Sequence, residues 1–138
     1  MLYSGHFSFD EIGGTTSERH GYFSCIVNAV NPVQALEKFK QRIREIKQEI
    51  KEPLFADILA VYVEDIVEIS DIPDDAVITR FQSSEGPFPK SRSCSLPTSD
   101  TVKIKAFQWV PGPEEAGVNF TMKDSEGYQE AMPFLRFS

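Results

Sequence analysis

The chain has 138 residues, 41% apolar and 25% charged, a length and composition that suit one globular domain needing neither metal nor disulfide staples and exclude disorder throughout. Its formal net charge of −7 opposes unassisted nucleic-acid binding, which draws on Lys and Arg to displace counterions. No apolar run reaches the roughly 20 residues of a membrane helix, and the opening Met-Leu-Tyr-Ser-Gly-His lacks the basic flank of a secretion signal, so a cytoplasmic location is expected.

Tyr3 to Asp10 alternates, with Tyr3, Gly5, Phe7 and Phe9 against Ser4, His6, Ser8 and Asp10, the period-2 pattern of a half-buried strand. Beyond a polar loop with Gly13-Gly14, Gly21 to Val30 forms a second run whose one face is Phe23, Cys25, Val27 and Ala29. Together they predict an antiparallel hairpin. Asn31-Pro32 then starts a helix, since Asn can accept from a free amide at the N-cap and Pro at the first position has no amide to leave unpaired. Leu36, Phe39, Ile43, Ile46 and Ile50 make one apolar stripe, so the helix is expected over about 32–51, ending before Pro53.

Phe55 to Ile69 is rich in β-branched residues and reads as one long or two short strands. Ile72-Pro-Asp-Asp75 is turn chemistry, after which Ala76 to Phe81 alternates again as a strand. Ser83 to Thr101 carries six serines and three prolines and reads as a long loop at about 83–101. Val102–Val110, Gly117–Met122 and Met132–Phe137 are further strand candidates. The tail is too short to fold alone, so residues 1–138 are assigned to a single domain.

The expected fold class is α+β: a mostly antiparallel sheet of about five to seven strands, one long amphipathic helix on one face, and β-β-α-β order in the N-terminal half. That order resembles the double-stranded-RNA-binding fold and antitoxins of the HicB type over about half the chain. Neither the lysine cluster of the former nor the Pro-Asp-Leu-Pro-Gly signature of the latter occurs. The resemblance therefore implies element order and no function.

Both histidines and Cys25 fall within twenty residues, which raises the question of a metal site. Strand register answers it. If Phe7 and Phe9 share a face with Phe23 and Cys25, odd residues pair with odd, and His6 leaves from the opposite face to Cys25. Cys25, mid-strand among apolar residues, is expected to be a buried and unreactive thiol; Cys94 lies in a loop without a helix start to lower its pKa. No metal, cofactor or catalytic residue is assigned.

The six acids Glu64, Asp65, Glu68, Asp71, Asp74 and Asp75 read as the wet face of a strand and turn, or as a band that docks a basic partner. Between Pro32 and Glu52, six bases and four acids leave a local charge of +2, best read as a solvated helix face. No phosphate loop, nucleophile elbow or metalloprotease motif occurs.

The leading expectation is a non-catalytic module that binds a protein partner or a second copy of itself. Phe88, Phe107, Trp109, Phe120, Phe134 and Phe137 exceed what one helix can cover. The alternative is a small-ligand or enzymatic pocket on the sheet face near His6, His20, Tyr22 and Trp109. Weak nucleic-acid binding by the basic helix face comes third, and a membrane role is not expected.

Overall fold

In the computed structural model the described residues are 1–12, 19–85, 90–94, 104–111, 118–122 and 133–137. Strands β1 (Leu2–Glu11) and β2 (Arg19–Asn28) form the expected hairpin, paired Phe7 to Phe23 and Gly5 to Cys25, odd with odd and without a break in register. Helix α1 (Pro32–Arg44) follows, and then β3 (Ile58–Ile69), one continuous strand antiparallel to β1. Because β1 lies between β2 and β3, the unit β2-α1-β3 is a parallel crossover split by the first strand. The sheet continues with β6 (Ile104–Pro111) and β7 (Val118–Met122) in the order β2-β1-β3-β6-β7. Short β8 (Leu135–Arg136) pairs with β3 at Ala60 and Val61, filling the margin of β3 that β6 does not reach.

The start of α1 carries a reciprocal cap. The Asn31 side chain accepts from the Gln34 amide at 2.8 Å, and the Gln34 side chain accepts from the Val30 amide at 2.9 Å. Ala35, Leu36, Phe39 and Ile43 are buried against the sheet. The stripe does not run on to Ile50 as its spacing predicts. From Glu45 to Ile50 the helix widens to i→i+5 bonding, each residue turns through a smaller angle, and Ile50 emerges into solvent. Lys51 closes the helix in the left-handed conformation at φ 58°, the Glu52 amide donates to the Ile46 carbonyl, and Lys47 reaches forward to the carbonyls of Phe55 and Ala56.

The main core lies between α1 and the odd face of β1. Tyr3, Phe7, Leu36, Phe39, Ile43, Val61 and Ile66 are fully or almost fully buried, and Phe134, Leu135 and Phe137 join them. Phe7 organises the rings, stacking on Phe23 and Phe134 and meeting Phe39 edge to face. Of the six aromatics that seemed surplus, Phe107, Phe134 and Phe137 are thus absorbed by this core; the side chains of Phe88, Trp109 and Phe120 lie outside the description.

Two expectations need correction. Residues 76–80 do not form a strand; Val77 instead packs, as Ile69 does, on the cluster of Val67 and Ile104, so this segment covers part of the helix-free face as an irregular strap. The stretch read as a loop at about 83–101 contains paired backbone, with β4 (Phe81–Glu85) antiparallel to β5 (Lys90–Cys94) in a separate two-stranded sheet. Its serines and prolines hid a hairpin because neither strand has a continuous apolar face in sequence.

Gly5 sits beneath two core rings. A Cβ there would lie 2.7 Å from Phe7 Cε2 and 2.9 Å from Phe39 Cε2, and both rings are held by their neighbours. Gly5→Ala is expected to destabilise the fold by about 1–3 kcal/mol through overpacking. Urea unfolding checks this as a lower midpoint at unchanged slope.

Candidate functional site

Burying Tyr3 and Phe7 beneath α1 sends Ser4, His6, Ser8 and Asp10 to the other face of β1, where the even residues of β2 join them. Tyr62 of β3 pairs with Ser8 on the same face. The result is a polar ladder. His6 Nδ1 is 2.7 Å from Ser24 Oγ, and its ring lies nearly parallel to that of Tyr22 with centroids 5.7 Å apart. One step along the strands, Asp10 receives two partners: Oδ1 lies 2.6 Å from His20 Nδ1, and Oδ2 accepts from the Tyr62 hydroxyl at 2.7 Å.

His6, His20 and Tyr22 therefore share one face, as two adjoining clusters. Trp109 is on β6, two strands from β1, where its backbone pairs with Phe120; its side chain lies outside the description. Asp10 and Tyr62 join this site without any motif in the sequence that marks them. Asp10 was available from register, because a hairpin that pairs Phe7 with Phe23 must also pair Asp10 with His20. Tyr62 was not, since its alignment depends on where β3 docks.

Burial first, and then the hydrogen bond and charge of Asp10, push the Tyr62 phenol up to about 12. Its neutral, donating form is held, so this stabilisation is complete below the ordinary phenol value of 10 and is lost as pH rises towards 12. Asp10 with His20 is a carboxylate that orients an imidazole, an arrangement that can position a proton. His6 leaves from the face opposite Cys25, and among the described residues no group of three or more His, Cys, Asp or Glu could hold a metal ion.

The acidic segment differs from its expected wet face. Asp65 is buried and paired with Arg80, which reaches back from the strap, and Glu68 is buried on the helix side, where it accepts from the Tyr3 hydroxyl at 2.6 Å. Two of the six acids are thus internal. Burial and Glu68 raise the Tyr3 phenol far above its ordinary value, and burial likewise raises the Cys25 thiol, opposed by Arg42. The base-rich helix face is also partly committed: Lys38 donates to the Asn28 carbonyl, Arg42 pairs with Glu45, and Lys40 and Lys47 lie over the rings of Phe134 and Phe137.

The margin of the sheet beside this face is β2, which among the described residues pairs only with β1. Met1 and Ala29 exchange both main-chain bonds, each 2.9 Å, which fixes the phase of the hairpin. Odd residues of β2 bond inward to β1, and even residues aim their amides and carbonyls outward. Lys38 takes the outward carbonyl of Asn28 at 2.8 Å, closing one end. No described residue bonds the outward main-chain groups of Tyr22, Ser24 and Ile26. Ile26 is 72% and Tyr22 39% exposed.

Comparison with known protein families, curated proteins and solved structures finds no match to this chain. No helix among the described residues is long and apolar enough to cross a membrane.

Asp10→Asn removes the charge facing the Tyr62 hydroxyl and should lower its ionisation from about 12, while burial keeps it above the ordinary 10. Phenolate absorbance followed against pH, with Tyr62→Phe identifying the transition, measures it; an unmoved transition would mean that Asp10 does not act on the phenol.

Proposed function

We propose that this protein is a non-catalytic interaction module that engages a protein partner by main-chain pairing at the edge of β2 that no described strand covers. The observation that carries this reading is the row of outward amides and carbonyls at Tyr22, Ser24 and Ile26, beside an isoleucine that is 72% exposed. An extended segment laid along such a row gains a main-chain ladder, while alternate side chains supply specificity. Edge strands are commonly guarded by Lys, Pro or a bulge. From His20 to Asn28, β2 has no charged residue apart from the titratable His20, no proline, and no register break against β1.

A synthetic peptide copying Arg19–Asn28, titrated into the labelled protein, should shift amide resonances and slow hydrogen exchange at Tyr22, Ser24 and Ile26. Ile26→Lys should abolish the response while leaving thermal stability nearly unchanged, as expected of an exposed position. Binding that perturbs only other strands, or none, would overturn the edge reading.

The Tyr62-Asp10-His20 chain favours a second reading, a small-ligand or enzymatic site on the open half of the face. This reading expects a polar metabolite that moves the ring resonances of His6 or His20. A screen of polar metabolites in which neither ring responds would remove it.

A further inference from the structure

Resting on the β2-edge reading, we infer that the partner at this edge is a second copy of the same chain, its β2 antiparallel to the first about a two-fold axis at Ser24. The open stretch itself selects the register. Lys38 occupies the outward carbonyl of Asn28 at one end, and towards the other the two exposed apolar side chains of the strand, Tyr22 and Ile26, stand symmetrically about Ser24. Tyr22, Ser24 and Ile26 are thus three outward-facing residues in a row, with Ser24 at the centre.

Antiparallel strands pair through residues whose main-chain groups face each other, so the even residues of one copy must meet even residues of the other. Centring the axis on Ser24 joins all three: Ser24 meets Ser24, and Tyr22 meets Ile26 twice. Each pair exchanges two main-chain bonds. Each exposed Ile26 comes beside the partner's Tyr22, whose ring is already held by stacking on His6. Shifting the register by two residues would set Ile26 opposite His20 or Tyr22 opposite Asn28, which separates the two exposed apolar side chains and, at Asn28, meets a carbonyl already taken by Lys38.

Charge also fits a second copy. The chain carries −7, yet the strand between His20 and Asn28 contains no Asp or Glu, so two copies meet here without opposing carboxylates in the ladder. Repulsion between the two bodies is long-range and screened by salt, so association should strengthen as ionic strength rises. The contact is isologous; pairing consumes the same edge on both copies and closes at two.

Sedimentation velocity across a concentration series tests the inference on the full chain. The protein should reach a dimer, and Ile26→Lys should weaken it about a hundredfold or more, since a two-fold axis counts each substitution twice. With Cys25→Ala and Cys94→Ser as background, Ser24→Cys should be joined to its own copy by a short bifunctional thiol reagent, whereas Glu49→Cys, on the exposed helix surface, should not. A monomer at every concentration to the solubility limit would overturn the inference. So would a dimer indifferent to Ile26→Lys, or linking no greater at Ser24→Cys than at Glu49→Cys. If the Arg19–Asn28 peptide still protects β2 while the full chain stays monomeric, only the second-copy partner fails; if neither associates, the edge reading fails with it.

Discussion

Successive side chains of β1 leave on opposite faces of the sheet, so Tyr3 and Phe7 can be buried beneath α1 only if Ser4, His6, Ser8 and Asp10 stand on the other side. Everything else follows from that division. The odd face collects Phe39, Leu36 and Ile43 from the helix and Phe134 and Phe137 from the end of the chain. The even face gathers the polar ladder, and the inward bonding of odd β2 residues leaves the even ones to face outward. A slip of one residue would exchange the faces and place Ser8 and Asp10 in the core, so the core itself holds the register.

The two halves of the helix-free face are finished differently. Over β3 and β6, the strap at 70–80 supplies Val77 to a small apolar cluster and Arg80 to the buried Asp65. A carboxylate at that depth requires a partner, because the Coulomb attraction and hydrogen bonds must offset the loss of water. Over β1 and β2 the polar side chains of His6, Ser24, Asp10, His20 and Tyr62 meet at hydrogen-bond distance, and Ile26 of the same face stays exposed. Among the described residues, the half of the face left without an apolar cover is consequently the half that adjoins the unpaired margin of β2.

How much of this could be read from sequence depended on the range of the interaction. The hairpin, its register and the helix start were accessible because each is local: alternation fixes the strand faces, and Asn31-Pro32 fixes the cap. Separation of His6 from Cys25 followed from the same alternation. The burial of Asp65 and Glu68 was hidden, because their partners Arg80 and Tyr3 lie 15 and 65 residues away and nothing in the acidic run names them. Ile50 misled for another reason. A helical stripe assumes a constant angle per residue, and the wider turn after Arg44 leaves no compositional mark. The β4-β5 pairing was missed because a Ser-rich strand without an apolar face is written like a loop.

The absence of guarding charge in the middle of β2, from Gly21 to Asn28, gains meaning from the charge elsewhere. One Lys or Glu at Ser24 or Ile26 would protect the edge, and a chain with 21 acidic and 14 basic residues does not lack the means. The bases instead sit at the ends: Arg19 begins the strand, and Lys38 takes the ladder carbonyl of Asn28. At the other end Asp10 engages His20, and its second oxygen is taken by Tyr62, so the carboxylate is drawn back onto the body of the sheet. Between these ends the exposed side chains of Tyr22 and Ile26 lie symmetrically about Ser24. Such a short, neutral and self-complementary stretch favours one closed pairing over an open stack.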